Sequence, residues 1–198
     1  MSVGMGLKEP ALVEASGLGL SYGSRPVFHG LDISLQRGDV LAVTGPNGSG
    51  KSSLLRVLAG LCERSAGSLC VPPRKARGLA ALDQRLYHSL TVREHADFVA
   101  RVHGLGCPDL EPFGLLPQSG LLVGHLSSGQ QSRLKMLLAT FHEPALLLLD
   151  EPSVALDGPG RAVLAQVVAA QRGRGATVLA TNDPGDLAYA THRLELAG

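Results

Sequence analysis

Cysteine is scarce. The 198-residue chain has three, Cys62, Cys70 and Cys107, widely spaced and without a C-x-x-C pair. That pattern supports neither a zinc site nor a disulfide framework, and it suits a reducing compartment. Net charge is nearly absent as well: 18 Lys and Arg against 17 Asp and Glu leave +1. A broad positive field of the kind that draws nucleic acid or anionic lipid is therefore missing, and no nucleic-acid partner is expected. The short basic piece Arg74, Lys75 and Arg77 reads as a solvated loop. Long apolar runs are missing too. The longest, Ala145 to Leu149, falls far short of the roughly 20 residues that cross a bilayer as a helix. The N-terminal MSVGMGLKEP has no charged segment followed by an apolar one, so no secretory signal is expected. If the protein serves a membrane, other chains must span it. Internal repeats and low-complexity segments are also absent.

What is present is a globular pattern. Apolar residues make up 44% and charged residues 18%, in a chain long enough to bury one substantial core. Leu12–Leu20 and Val27–Leu35 alternate, and predict strands of an antiparallel region. Asp39–Thr44 is an apolar, β-branched run, and Ser52–Leu61 has helical spacing with Gly60 near its end. The stretch 64–78 reads as loops with a short strand, and Leu79–Leu82 as a further strand. Residues 91–104 open with Thr91 and have Glu94 three residues on, the pattern of a capping box. Residues 105–125 read as loop with a short helix, and Ser128–His142 as a helix closed by Pro144. Ala145–Asp150 predicts a buried parallel strand, followed by a helix over Gly158–Arg172, a strand over Thr177–Thr181 and a last strand over Arg193–Leu196. The alternation implies an α/β core with a mostly parallel sheet, an N-terminal antiparallel β region and a helical subdomain inserted at roughly 84–141 within a single domain.

Three motifs carry chemistry. The first is Gly45-Pro46-Asn47-Gly48-Ser49-Gly50-Lys51-Ser52, followed by Ser53, between a predicted strand and a predicted helix. Its glycines let backbone N–H groups from 48 to 52 wrap a phosphate, and the helix N-terminus adds its positive end. Lys51 can reach the β- and γ-phosphates, and the Ser52 hydroxyl can ligate Mg²⁺. The second is Leu146–Glu151, where an apolar strand delivers Asp150 to its carboxyl end as a Mg²⁺-shell candidate, with Glu151 next to it to polarise an attacking water. The third is LSSGQQ at 126–131. A Ser- and Gly-containing turn that enters a helix is a second anion-binding device. Two such devices in one chain suggest a nucleotide held between two surfaces.

In this order the motifs resemble those of ABC-type ATPase subunits, the nucleotide-binding domains of ATP-binding cassette transporters, over Tyr22 to about Leu196. The resemblance implies a P-loop NTPase core that binds ATP and Mg²⁺. LSSGQQSRL resembles the family signature. Ser127, Ser128, Gly129 and Gln130 would then grip the γ-phosphate of a partner copy across a head-to-tail dimer, although Ser128 stands where the family usually has Gly. Tyr22 matches the aromatic that stacks on adenine. Gln84 matches the glutamine that contacts Mg²⁺ or the attacking water, and Asp157 the aspartate that couples the two sites. One position departs from the pattern: the family places a γ-phosphate-contacting His at the end of the strand after the coupling loop, and here Asn182 stands there. An amide can donate one hydrogen bond but carries no charge and does not titrate. His192 falls ten residues later and reads as a surface or edge residue.

The resemblance implies an ATPase that powers a membrane transporter as a homodimer or heterodimer of such subunits, bound to integral membrane subunits at the cytoplasmic face of the membrane. Two other readings remain open on the residues alone: a low-turnover regulatory subunit, motivated by Asn182, and a soluble non-transport ATPase. For the cargo, compact length and LSSGQQ are similar to the small haem-exporter subunits of cytochrome c maturation. A small-molecule, lipid or multidrug exporter fits the motifs equally.

Overall fold

A computed structural model describes residues 10–197, and the N-terminal stretch read above for a secretory signal lies almost wholly outside the described residues. Among them the chain forms eight strands and five helices. They are β1 (Val13–Tyr22), β2 (Arg25–Leu35), β3 (Val40–Thr44), α1 (Lys51–Ala59), β4 (Ala66–Cys70), β5 (Arg77–Ala80), α2 (Val92–Val102), α3 (Ser128–Thr140), β6 (Leu146–Asp150), α4 (Gly158–Arg172), β7 (Ala176–Ala180), α5 (Pro184–Leu187) and β8 (His192–Glu195). Five strands make a wholly parallel sheet in the order β5-β6-β7-β3-β8, and three make an antiparallel sheet in the order β2-β1-β4.

The continuous apolar strands are explained by burial on both faces. Leu146 and Leu148 of β6 join Val178 of β7, Leu54, Leu55 and Leu58 of α1 and the inner face of the antiparallel sheet in one cluster. Leu147 and Leu149, one residue out of phase, join Met136 and Ala139 of α3 and Val163, Leu164, Val167 and Val168 of α4 on the opposite face. Helix α1 is therefore sandwiched between the two sheets, while α3 and α4 cover the far side.

A third cluster builds the helical lobe from Val92 and Ala96 of α2, Leu110, Leu115 and Val123, and Leu134, Leu137 and Leu138 of α3. Residues 105–125 hold three 3₁₀ turns, at Glu111–Phe113, Leu116–Gln118 and Val123–His125. Helix α3 serves both lobe and core, because its apolar residues point two ways. Thr91 caps α2 in a reciprocal bond with Glu94, as the spacing predicts.

Several boundaries move for local reasons. The strand expected over Leu79–Leu82 runs instead from Arg77 to Ala80, and Leu82 is exposed. Gly78 lies inside this strand because a Cβ there would collide with the Ala139 carbonyl oxygen of α3. Helix α1 stops at Ala59, where Gly60 takes φ 74° and its N–H turns back to Val57 and Arg56 carbonyls. Helix α3 stops at Thr140 rather than His142, and Glu143 adopts φ 51°. The short α5 has no counterpart in the sequence reading; Asp183 caps it by accepting from Gly185 N.

Candidate nucleotide site

The carboxyl ends of β3, β6 and β7 lie side by side in the parallel sheet, and each releases a functional segment at the same edge. Strand β3 releases the glycine loop, β6 releases Asp150 and Glu151, and β7 releases Thr181 and Asn182. Ligands of open α/β sheets bind outside such strand ends. His192 stands at the opposite end: it begins the edge strand β8, pairs with Leu41 at the start of β3, and its ring lies 3.8 Å from Asp39.

The glycine loop is shaped for an anion. Gly45, Gly48 and Gly50 have φ of 141°, 87° and 98°, values that side chains resist. At Gly50 a Cβ would also fall 2.6 Å from Val27 Cγ1. Gly50 caps α1 without any side-chain bond, so the first amides of the helix are left for a ligand. The hydroxyl of Ser49 is buried and has no partner in the protein, an orphan that a bound phosphate would satisfy. The Lys51 ammonium, itself buried, folds back over the loop and donates to Gly45 O at 2.8 Å and Pro46 O at 3.3 Å; Glu151 Oε1 lies 3.9 Å away.

Ser52 Oγ donates to Asp150 Oδ1 at 3.1 Å. Burial pushes the Asp150 carboxyl above its ordinary range, and the Ser52 bond opposes that shift. Burial likewise raises Glu151, against the lowering pull of Lys51; the charges of Asp150 and Asp186 push in the same direction as burial. Glu151 has φ 48° and Ala155, four residues on, φ 67°. Neither is glycine, and left-handed backbone of this kind costs about 1–3 kcal/mol and clusters where a loop is held for function.

An open cleft of about 750 Å³ runs from Tyr22, Arg25, Pro26 and Val27, past Asn47 to Ser53, to Glu151. Tyr22 is 53% exposed at the end of β1 and lines the cleft, with its hydroxyl 3.9 Å from Cys62 Sγ. Arg25, Pro26 and Val27, the first residues of β2 across the tight turn from Tyr22, were not singled out as site residues by sequence. Asn182 is not among the residues lining this cleft. Its Nδ2 donates to Gly45 O at 2.9 Å and its Oδ1 accepts from Gly45 N at 3.2 Å, so the amide clamps both polar groups of one loop residue.

Other residues singled out by sequence stand apart from the cleft. Gln84 Oε1 accepts from Ala81 N at 3.4 Å, and Gln84 lines a neighbouring groove with Leu86, Tyr87, Gln131 and Lys135. Ser127 caps α3 and is locked in a reciprocal bond with Gln130. Ser127 and Ser128 are exposed, with Gly129 beside them. Asp157 caps α4 by accepting from Gly160 N at 2.9 Å. The arrangement thus contains a complete phosphate loop with its acid pair, and, separately, an exposed capped helix N-terminus.

Comparison with known proteins agrees with this geometry. The sequence profile described as ABC transporter matches residues 28–154. The cytochrome c biogenesis ATP-binding export protein CcmA of Rhizobium meliloti is 36% identical, over 93% of this chain and 97% of its own length. The protein of the same name from Nitrobacter winogradskyi is 35% identical, over 94% and 98%. A solved structure described as the ATP-binding subunit of an ABC transporter superposes with a TM-score of 0.85 at 25% identity, over 93% of this chain and 85% of the other.

Proposed function

The chain belongs to the ABC transporter family, and from that membership we propose that it is the ATP-binding, ATP-hydrolysing subunit of a membrane transporter, working as a head-to-tail pair. One observation carries the pairing: the exposed N-terminus of α3 offers a second place for phosphate, yet Ser127, Ser128, Gly129 and Gln130 are not among the residues lining this chain's own cleft. A second copy, turned head to tail, offers that helix end a nucleotide to grip.

In this reading ATP lies on Tyr22 and the loop 45–53, with Lys51 transferred from the Gly45 and Pro46 carbonyls to phosphate oxygens. Glu151, its basicity raised by burial, takes the proton of the attacking water. The Ser52 hydroxyl and the Asp150 carboxylate are hard oxygen donors suited to Mg²⁺, with Gln84 assigned to the same shell. No group of three or more His, Cys, Asp or Glu among the described residues could hold a metal. Ser52 and Asp150 would hold the ion, with phosphate and water supplying its other oxygens. When bound, Mg²⁺ would neutralise charge on the β- and γ-phosphates. Asp157 would couple the paired sites.

No helix among the described residues is long and apolar enough to cross a membrane, so the reading requires integral membrane subunits and places this subunit at the cytoplasmic face. The relatives named for cytochrome c biogenesis match along nearly their whole length, which favours an exporter of that class.

The decisive variant is Glu151→Gln. ATP binding should persist while hydrolysis falls by at least about 100-fold, and ATP should then drive the chain from monomer to dimer in sedimentation velocity. Equal ATPase rates for wild type and Glu151→Gln would remove the enzymatic reading. Co-purification with an integral membrane protein tests the transporter assignment.

A further inference from the structure

Asp186 is a buried acid to which the proposed chemistry gives no direct part, beyond the push of its charge on Glu151. It sits on α5, is 1% exposed, and accepts hydrogen bonds from two hydroxyls: Ser153 Oγ on one carboxylate oxygen and Thr181 Oγ1, at 2.8 Å, on the other. A buried carboxylate so engaged fixes both partners, because removing either acceptor oxygen strands a hydroxyl away from water.

The two partners belong to different machinery. Thr181 precedes Asn182, which clamps the Gly45 backbone of the phosphate loop. Thr181 N also donates to Val43 O, on the strand that feeds that loop. Ser153 lies in the turn after Glu151, and this turn is stiffened by the Val154 N to Glu151 O and Leu156 N to Ser153 O bonds. Two residues beyond Ser153, the Ala155 carbonyl oxygen faces Gly129 so closely that a Cβ on Gly129 would lie 3.0 Å from it. Gly129 is the second residue of α3.

We infer that Asp186 is a positioning residue that joins the phosphate loop to the exposed N-terminus of α3, through Asn182 and Thr181 on one side and Ser153 and Ala155 on the other. Occupancy of this chain's own loop is thereby felt at the surface it presents to a second copy. The inference rests on the paired reading above and adds the internal route between the two phosphate grips.

The test uses the full chain with the single variants Asp186→Asn and Ser153→Ala and the double variant. Both substitutions keep side-chain volume nearly constant. Affinity of the dilute monomer for a fluorescent ATP analogue should stay within about twofold of wild type. ATP-driven dimerisation, read by sedimentation velocity in the Glu151→Gln background, should weaken about tenfold in each single variant. The double variant should be no weaker than Asp186→Asn alone, since Ser153→Ala removes a contact that Asp186→Asn already cuts. Unchanged dimerisation, multiplying effects in the double variant, or a loss of monomer affinity in step with dimerisation would each overturn the inference. If Asp186→Asn does not fold, Ser153→Ala alone reads the same contact. If Glu151→Gln itself stays monomeric with ATP, the paired reading fails first and takes this inference with it.

Discussion

Asn182 offers the sharpest measurement on the nucleotide site, because two roles for it predict different nucleotide dependence. As a clamp, its amide holds Gly45 through a 2.9 Å bond and a 3.2 Å bond. As a phosphate contact, it would reach the γ-phosphate in the manner of the histidine it replaces. Hydrogen bonds of this kind contribute about 0.5–1.5 kcal/mol each, and exposure places this pair toward the lower end, at about 1–2 kcal/mol together. Asn182→Ala leaves Gly45, at φ 141°, held on its carbonyl by Lys51 alone, and once Lys51 turns to phosphate the loop must be ordered by the ligand. That cost enters the binding constant of any nucleotide with a β-phosphate. The clamp therefore predicts ADP and ATP affinities falling alike, by about 5- to 30-fold. A γ-phosphate contact predicts a loss for ATP with ADP untouched. Titration calorimetry with both nucleotides, on the Glu151→Gln background to prevent turnover, separates the two. Unchanged ADP affinity beside weakened ATP affinity would refute the clamp.

Three further outcomes follow from the same structure. Since Glu151 is raised by burial and must be ionised to act as base, kcat should fall as pH drops through a limb lying above the ordinary carboxylate range; a pH–rate profile with its acid limb inside that range contradicts the role. His95 is buried with both ring nitrogens unpartnered and its pKa is lowered by burial. The unfolded chain therefore binds the proton more tightly than the folded one, and this part of the stability, complete above about pH 6.5, is lost as pH falls toward the depressed folded value. His95→Phe, which keeps an edge-on ring against Tyr87, should shrink the drop in Tm between neutral and mildly acidic buffer, and an unchanged drop would assign the acid sensitivity elsewhere. Gly78→Ala should lose about 3 kcal/mol in urea unfolding because its Cβ meets the Ala139 carbonyl, and a loss under about 1 kcal/mol would show that α3 can shift.

Much of the parallel sheet was legible because its strands announce themselves locally. Leu146–Leu149 can be buried on both faces only at the middle of a sheet, and the glycine loop between strand and helix has one good use. Capping signals were equally local, so Thr91 with Glu94 fixed the start of α2 from four residues. Legibility failed where a neighbour distant in sequence decides the outcome. Gly78 reads as loop punctuation, and it is a strand residue only because the backbone of α3 passes over it. The four-residue α5 is too short for periodicity, and it exists because Asp183 caps it and Asp186 is buried under it.

The same division runs through the site. Lys51, Ser52, Asp150 and Glu151 are found by motif because each is fixed by the segment that carries it. Asn182 could be located by motif but its bond partner could not, since Gly45 lies 137 residues away. Asp186 had no signal at all: one aspartate near a proline and a glycine is an ordinary helix start. Its importance comes from the 33 residues that separate it from Ser153 and from the burial of the pair. Chemistry is thus encoded in contiguous residues, while the contacts that couple one site to another are encoded in packing. A substitution such as Asn182 is for that reason poorly judged by its chemistry alone, because the same amide that lacks a charge for phosphate has the donor and acceptor needed to hold the loop that binds it.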